Sequence, residues 1–364
     1  MNLLITNTQE DQAYLILRCL QKEASKIIVT FSGDSLFKRW SGISRWSRFV
    51  NKRYRVPNFY AGWKSGLVQP ENTASEEHYI QRIEEICATE HIDVIFPSYD
   101  PEVYVFSKNK LRLANQGILA VVPDYQPLVR ILDKSLTMAA AAKVGFPIPR
   151  TAVPANLDAL TVASSAFGGP WVLKPRCNAH GGNIELVSKP ELLEKTFSDL
   201  KKIQARPMLQ DYIPEASKRN YYVVVDRNSK IVSLFSPRVN RTRKTGVTTS
   251  CAAVVSCSDV PYTEEIQALV SELGVWGGMT IQTVVDARDG EPKLMEINPR
   301  FGHNLWYRMV LGLNEPLMLL SIAKSELSDP LPAFRENVLL LDPLWDILHL
   351  LGQSVDQSLG YIRK

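Results

Sequence analysis

The first 125 residues alternate between short apolar runs and segments in which apolar residues recur at helical spacing. The helical spacing occurs over Asp11–Gln21 and Ile80–Thr89. Four apolar runs have the length and composition of buried strands: Leu3–Thr6, Lys26–Phe31, Asp93–Phe96 and Leu119–Val122. Because strands that alternate with helices are typical of parallel sheets, we expect an N-terminal α/β domain over residues 1–125.

A different pattern begins after this point. A break near Asp124–Pro127 precedes an alanine-rich helical segment, Ile131–Lys143, which ends before the helix breaker Gly145–Pro149. Short strands with two glycine pairs follow, and then longer strands with one helix at Glu264–Leu273. We therefore expect three further units: a second α/β domain over 126–325, a smaller subdomain inside it over about 151–213, and a helical tail over 326–364.

Composition narrows the class of protein. Hydrophobic residues make up 45% and charged residues 22% of the 364 residues, which is typical of globular proteins and excludes disordered or collagen-like chains. The net charge is only +4, so no nucleic acid is expected as a partner. No apolar run approaches the roughly 18–20 residues of a membrane span, and the N-terminus lacks the pattern of a signal peptide. Five cysteines without a CxxC pair favour reduced thiols, so we expect a cytoplasmic protein.

One stretch, residues 35–70, departs from this composition. It contains eight Lys or Arg residues, three tryptophans and no acidic residue. Basic residues with interleaved aromatic residues suit a nucleic acid, an anionic membrane or a large acidic substrate. The alternative is a solvated loop whose aromatic side chains pack on the domain.

Several common nucleotide motifs are absent from the sequence. No Gly-Lys dipeptide occurs, which excludes the Walker A loop. No two glycines are separated by a single residue, which excludes the dinucleotide and kinase glycine loops. A nucleotide site in this chain must therefore be built in another way.

The segment Lys293–Gly302 carries the most specific chemistry. If it is a strand, Glu296 and Asn298 share a face, because alternate strand residues point to the same side. A carboxylate and an amide oxygen side by side suit Mg²⁺ that carries nucleotide phosphates, with Mn²⁺ as an alternative ion. Arg300 continues the row, where a guanidinium suits phosphate oxygens.

A third oxygen ligand is predicted on the preceding strand. Gln282 lies 14 residues before Glu296, and Ala287–Gly290 between them predicts a hairpin turn. We expect Gln282, Glu296 and Asn298 to form a metal site. Each residue alone also has an ordinary interpretation, as a turn-forming side chain or a surface amide.

The run Glu296-Ile-Asn-Pro-Arg300, preceded by Gln282, resembles the ATP-grasp superfamily, and in particular the ATP-binding domain of carbamoyl-phosphate synthase-like ligases. The resemblance extends from about Leu3 to Ala323. It implies an α/β ATP-grasp fold preceded by an N-terminal parallel α/β (pre-ATP-grasp) domain. It also implies that residues 151–213 form a mobile lid over ATP.

The resemblance further assigns residues to ATP. Lys174, in Trp171–Pro175, and Lys134, at a helix start, match two phosphate-binding lysines, and Arg300 and Lys174 are implied to be catalytic. The other implied nucleotide contacts come from a glycine loop, an adenine hinge and one strand: Gly181, Gly182, Gln210, Asp211, Tyr212, Ile213 and Met295. The hinge departs from the family pattern, which usually has glutamate where this chain has Gln210 or Asp211.

The activity implied by the resemblance is ATP-dependent ligation of a small-molecule carboxylate and an amine. An acyl-phosphate intermediate forms, and ADP and phosphate are released. Two alternatives remain open at this stage. One is another ATP-grasp chemistry, in a small-molecule kinase or a carboxylase-like enzyme, and the other is a non-catalytic nucleotide-binding protein. The C-terminal segment leaves open whether the chain forms a homo-oligomer.

Overall fold

The fold described below is that of a computed structural model of the whole chain. The structure describes eight segments of the chain: residues 1–32, 46–59, 71–177, 183–242, 249–253, 260–302, 304–326 and 339–341.

A parallel sheet, the N-terminal sheet, is built from the apolar runs of the first 125 residues. Its strands are β1 (Asn2–Ile5), β2 (Lys26–Phe31), β3 (Lys52–Arg55), β4 (Val94–Phe96) and β5 (Leu119–Ala120). They are hydrogen-bonded in the order β3-β2-β1-β4-β5, and every neighbouring pair is parallel. The predicted parallel α/β arrangement is therefore confirmed.

Helices cover both faces of this sheet. They are α1 (Asp11–Leu20), α2 (Ala74–Glu90), α3 (Asp100–Lys108) and α4 (Lys110–Ala114). Helix α2 begins six residues before the predicted start, because Thr73 and Glu76 form a reciprocal capping box there. Residues of α2 and α3, such as Ile83 and Phe106, are completely buried against the sheet.

Two helices replace the single one predicted over Ile131–Lys143. Helix α5 (Tyr125–Leu132) contains Pro127 in its first turn, where the backbone N–H groups have no partner within the helix. The predicted break near Asp124–Pro127 is thus present at Asp124 and does not include Pro127. A second break lies at Asp133, whose side chain accepts the N–H of Ser135 and caps helix α6 (Lys134–Lys143).

A small antiparallel sheet follows, which we call the small sheet. It consists of β6 (Thr151–Ala152), β7 (Trp171–Lys174), β8 (Glu185–Val187) and β9 (Met208–Asp211), in the order β6-β9-β7-β8. Two helices pack on it, α7 (Leu157–Phe167) and α8 (Leu193–Ile203), the latter preceded by a 3₁₀ turn at Pro190–Leu192. Leu160, Trp171, Phe197 and Leu209 form a separate hydrophobic core between sheet and helices.

The longest strands form the central sheet. Its members are β10 (Glu215–Val225), β11 (Ile231–Phe235), β14 (Gly277–Asp286) and β15 (Pro292–Asn298), in the antiparallel order β11-β10-β14-β15. Three helices accompany it: α9 (Thr263–Leu273), α10 (Leu305–Leu311) and α11 (Glu315–Ala323). Ile281 and Ile297 are buried on the face that packs against α6 and α9, so their sequence neighbours Gln282 and Glu296 lie on the opposite face.

The N-terminal and central sheets share one hydrophobic core. Phe96 at the end of β4 stacks on Phe301, with ring centroids 6.3 Å apart. Leu3, Val224 and Leu319 belong to the same buried cluster. This packing places the carboxyl end of the parallel sheet beside the end of β15.

A fourth sheet corrects the predicted helical tail. Residues 339–341 form strand β16 (Leu339–Leu341), which pairs antiparallel with β13 (Thr249–Ala253), and β13 in turn pairs with β12 (Arg238–Thr242). Three consecutive leucines carry no periodicity that separates a strand from a helix. Most of the predicted tail lies outside the described residues. Within the described part of the chain, no helix is long and apolar enough to cross a membrane.

Two residues of the basic stretch 35–70, Lys52 and Tyr54, form hydrogen bonds within the N-terminal domain. The carboxylate of Glu90, at the end of α2, is fully buried and accepts hydrogen bonds from Lys26, Lys52 and Tyr54. These contacts hold the edge strand β3 against the sheet. Lys52 therefore contributes to the stability of the fold. Residues 35–45 and 60–70 lie outside the described part of the chain.

We predict that Glu90→Gln destabilises the protein by roughly 1–3 kcal/mol, because a neutral amide leaves two ammonium groups poorly paired. Hydrogen bonds from Lys26, then Lys52 and Tyr54, lower the pKa of Glu90 from 4.5 to about 2. A depressed carboxyl pKa stabilises the fold fully above pH 4.5, and this stabilisation is lost as the pH falls towards 2.

Urea unfolding of the wild type and Glu90→Gln at pH 7 and pH 3 provides the measurement. The difference in unfolding free energy should be clearly smaller at pH 3. Glu85→Gln is the control, because Glu85 forms an exposed pair with Arg82. Equal effects of the two substitutions would contradict the assignment.

Candidate functional site

The three predicted metal ligands meet on one face of the central sheet. Gln282 lies directly opposite Glu296 in the register of β14 and β15, and Thr280 lies opposite Asn298. The chain reverses direction between Asp286 and Pro292, as the predicted turn requires. Gln282, Glu296 and Asn298 are all partly exposed, so their oxygen atoms line a surface that a ligand can reach.

The carboxylate of Glu296 is the centre of the site. Its Oε1 accepts a hydrogen bond from Nδ2 of Asn298 at 3.3 Å, and its Oε2 lies 3.4 Å from Nζ of Lys134. Burial alone would raise the pKa of Glu296. The positive charges of Lys134 and Lys174 and the contact with Asn298 outweigh it and hold the pKa below its usual value. Glu296 is therefore a carboxylate at neutral pH.

Lys134 reaches this carboxylate because of the way helix α6 begins. It is the first residue after the Asp133 cap, and only 5% of its surface is exposed. Its backbone N–H donates to the carbonyl of Arg176 at 2.9 Å, and Arg176 Nη1 pairs with Asp133 Oδ2 at 3.0 Å. The start of α6 is thereby tied to the chain just beyond β7.

Lys174 is the last residue of β7 and is 5% exposed. Burial, and then the positive charge of Lys134, lower its pKa from 10.5 to about 8, although the negative charge of Glu296 acts in the other direction. Two buried ammonium groups thus share one carboxylate. Such a site has an excess of positive charge and is suited to a polyanionic ligand.

The donor set around Glu296 fits a divalent ion that arrives with phosphates. One carboxylate and two amide oxygens are hard ligands of the kind Mg²⁺ prefers, but they supply a single negative charge. Over the described parts of the chain, no group of three His, Cys, Asp or Glu residues could hold a metal by itself. The residues therefore fit an ion whose remaining ligands and charge come from a nucleotide.

Arg300 does not continue the row of Glu296 and Asn298. Strand β15 ends at Asn298, and Pro299 turns the chain away. The guanidinium instead lies between the two large sheets, with Nε 3.2 Å from Asp100 Oδ1 and Nη1 donating to the carbonyl of Phe301 at 3.2 Å. Asp100 nevertheless lines the same small cavity as Lys134, Glu296 and Asn298, so Arg300 borders the site.

The predicted adenine hinge has its polar side chains engaged within the protein. Gln210 is buried in β9 and donates from Nε2 to Thr151 Oγ1 at 2.8 Å. Asp211 accepts from Arg150 Nε at 2.6 Å. Strand β9 is also hydrogen-bonded on both sides, to β6 and to β7. Gln210 and Asp211 were predicted to lie near the ribose of ATP. In the structure, both side chains are hydrogen-bonded to other residues of the protein.

The other predicted contacts are distributed around this strand. Tyr212 is 37% exposed and its N–H donates to the carbonyl of Pro170, whereas Ile213 is buried. Met295 is partly exposed and lies beside Glu296 on β15, at a β-bulge where the register between β14 and β15 shifts. Gly181 and Gly182 lie outside the described residues.

Sequence reasoning assigned no site role to Asp133, Arg176 or Asp100. Asp133 had a recognisable signal, since an Asp directly before a helix start is a common cap. Arg176 and Asp100 had none, because their partners Asp133 and Arg300 are 43 and 200 residues away in sequence.

Comparison with known proteins identifies relatives of this chain in sequence and in structure. A family model described as "Carbamoyl-phosphate synthase L chain, ATP binding domain" matches residues 133–305. The carbamoyl phosphate synthase large chain of Methanothrix thermoacetophila is 25% identical over 198 residues, which is 52% of this chain and 18% of that protein. The chain thus spans less than a fifth of the length of this relative.

Two solved structures share the fold. A biotin carboxylase in complex with β,γ-ATP from Campylobacter jejuni superposes with a TM-score of 0.68 at 17% identity, covering 93% of this chain and 74% of that one. An L-amino acid ligase from Bacillus licheniformis has a TM-score of 0.62 at 16% identity, covering 90% and 77%. The chain therefore has the α/β ATP-grasp fold with a preceding parallel domain, and residues 133–305 are similar to the ATP-binding domain of the carbamoyl phosphate synthase large chain.

Proposed function

We propose that the chain is an ATP-dependent carboxylate–amine ligase. ATP binds between the small sheet and the central sheet, with its phosphates against Lys134 and Lys174. A carboxylate oxygen of the first substrate attacks the γ-phosphorus, and ADP leaves. The amine nitrogen of the second substrate then attacks the acyl carbon, the nitrogen loses a proton, and phosphate leaves.

The pair of buried lysines that faces Glu296 is the observation that carries this proposal. Phosphoryl transfer depends mainly on positioning and on the neutralisation of phosphate charge. Lys134 and Lys174 are fixed cations in a site largely shielded from water, where their effect on a developing negative charge is strong. Arg300 supplies a third cation at the border of the site.

Mg²⁺ bound to the phosphates would be held by Gln282, Glu296 and Asn298 and would neutralise part of their charge. The backbone at Tyr212 and Ile213, just beyond β9, is proposed to bind the edge of adenine. The small sheet, with its separate core, is proposed to act as a lid that excludes water from the acyl-phosphate.

ADP release in a screen of carboxylates, each with and without amines, tests the proposal. A ligase releases ADP fastest when both substrates are present. Addition of hydroxylamine in place of the amine should trap the acyl-phosphate as a hydroxamate. ADP release with a carboxylate alone and a stable phosphorylated product would indicate a kinase, and dependence on bicarbonate would indicate a carboxylase.

We predict that Glu296→Ala and Asn298→Ala reduce Mg·ATP turnover by at least about 10²-fold, because each removes an oxygen ligand next to the phosphates. Gln282→Ala should have a milder effect, since water can replace a neutral ligand. Turnover is measured as ADP release, and thermal unfolding reports whether the fold is intact.

Lys293→Ala is the matched control for these variants. Lys293 lies on the same strand but pairs with Asp289 at the hairpin turn, so its loss should leave turnover unchanged. Wild-type turnover in either the Glu296 or the Asn298 variant would show that the metal assignment is wrong.

A further prediction concerns the ionisation of Lys174, whose pKa is lowered to about 8. About half of the molecules have an uncharged Lys174 at pH 8, and bound phosphates raise the pKa because they stabilise the ammonium form. ATP binding at pH 8 should therefore take up roughly half a proton, and ATP affinity should fall as the pH rises from 7 to 9.

Calorimetric titration in two buffers with different ionisation enthalpies measures this proton uptake. Lys174→Arg is the control, because a guanidinium stays charged throughout this range. It should bind ATP without the proton uptake, whereas Lys174→Ala should bind ATP more weakly and slow transfer by about 10²–10³-fold. Identical proton uptake in the wild type and Lys174→Arg would contradict the assignment.

A further inference from the structure

A groove lies between helix α1 and the turn that leads into β3, and we call it the α1 groove. Its volume is about 450 Å³. Two of the residues that line it come from α1 and four from the basic stretch 35–70: Tyr14, Arg18, Trp46, Ser47, Arg48 and Phe49. None of these six residues lines the small cavity beside Glu296, so the α1 groove is a separate site.

The turn that forms one wall of the groove is fixed to the N-terminal domain. Val50, at the end of the turn, is buried in the same hydrophobic core as Leu17 of α1. The N–H of Asn51 donates to the carbonyl of Ile27 at 2.9 Å, and Asn51 Oδ1 accepts the N–H of Ile27 at 2.8 Å. The N–H of Val50 donates to the carbonyl of Ser47 at 3.1 Å and closes the turn. The groove is therefore held in shape by contacts within the protein.

The positive charge of the groove is not neutralised by the residues around it. Arg18 Nη1 donates to the Tyr14 hydroxyl at 3.1 Å, and Arg48 Cζ lies 5.0 Å from the ring centroid of Phe49. Both of these partners are neutral. Among the described residues, neither guanidinium is paired with a carboxylate, and no acidic side chain lines the groove. Two exposed arginines in a concave surface attract an anion, and their planar guanidinium groups suit phosphate or carboxylate oxygens.

The other side chains of the groove are aromatic. Trp46 is 55% exposed, and Tyr14 and Phe49 are partly exposed beside it. Planar rings of ligands stack on aromatic side chains and on guanidinium groups. The volume lies within the roughly 300–1,000 Å³ that small-molecule sites occupy. The lining thus combines a binding surface for an anion with one for a planar ring.

We propose that the α1 groove binds a small ligand in which an aromatic ring carries a phosphate or carboxylate group. Arg18 and Arg48 bind the anionic group, and the ring packs against Trp46. A small ligand is favoured over a polymer because two cations line the groove, whereas polyanions are bound along extended rows of cations. This site is additional to the proposed ATP site and does not depend on the ligase function.

Three probes test whether both parts of the ligand are recognised. 1-Naphthyl phosphate has a ring and an anionic group, inorganic phosphate has only the anion, and 1-naphthol has only the ring. Calorimetric titration at pH 7 and low ionic strength should show 1-naphthyl phosphate bound at least about tenfold more tightly than either of the others, because both interactions contribute. Equal affinity for 1-naphthyl phosphate and inorganic phosphate would overturn the proposal.

Substitutions at the groove assign the binding to it. Arg18→Gln combined with Arg48→Gln should weaken 1-naphthyl phosphate binding by at least about tenfold. Trp46→Ala should weaken it by about fivefold or more, as expected for a lost stacking contact, and should leave the affinity for inorganic phosphate unchanged. Probe bound at Lys134 and Lys174 stays bound in the double arginine variant, so the difference from the wild type reports the groove alone.

Lys189→Gln combined with Arg206→Gln is the charge-matched control. Both residues are exposed in the unit built around the small sheet, so the pair should bind 1-naphthyl phosphate as the wild type does. Arg18, Trp46 and Arg48 are also exposed, and thermal unfolding confirms that the variants are folded. Unchanged binding in the double arginine variant, or an equal loss in the control pair, would contradict the assignment.

The nature of the anion and the size of the ligand are tested with further probes. Tighter binding of 1-naphthyl phosphate than of 1-naphthoate assigns a phosphorylated ring, and the reverse order assigns an aromatic carboxylate. A single-stranded oligonucleotide or phosphatidylserine vesicles could instead bind at least about a hundredfold more tightly than either probe. If the double arginine variant abolished that binding, the occupant would be a polyanion and the proposal of a small ligand would be overturned.

Discussion

Two ammonium groups buried around one carboxylate are the interaction on which the rest of this structure depends. Lys134 lies on a helix and Lys174 on a strand of a different sheet from Glu296, yet the positive charges of both lower the pKa of Glu296. The lowered pKa of Lys174 shows that its charge is not fully compensated within the protein. The phosphate chain of the proposed nucleotide would provide the missing negative charge, so binding of that ligand would stabilise this arrangement.

Three of the four sheets contribute to this site in different ways. The central sheet fixes the oxygen ligands through backbone register, which is set by ten residue pairs between β10 and β14 and by six between β14 and β15. The small sheet presents Lys174 from a strand end. Within the described residues, the N-terminal sheet contributes Asp100, which lies at the start of the helix after β4 and contacts Arg300. Rigid strands thus hold the oxygen atoms, while the cations come from element ends.

Much of this arrangement could be predicted from the sequence. The i, i+2 spacing of Glu296 and Asn298 and the spacing from Gln282 determine a shared strand face, and the structure has that register. The course of the chain after Asn298 could not be predicted, because Pro299 ends the strand and long-range packing then directs Arg300 towards Asp100. The ionic partners of Asp211 and Gln210 also depend on tertiary contacts. Local patterns also led to the wrong prediction of a helix where β16 lies, since three leucines suit either a helix or a strand.

The hydrogen bond between the Lys134 N–H and the Arg176 carbonyl, with the ion pair of Asp133 and Arg176, has a consequence for motion. These contacts join the start of α6 to the chain just beyond β7, and so they connect the two elements that carry Lys134 and Lys174. If the small sheet acts as the proposed lid, a pivot near this joint would keep the two cations at a nearly constant spacing while the far edge at β8 moves. Opening would then change the access of solvent to the site and leave the arrangement of its charges in place.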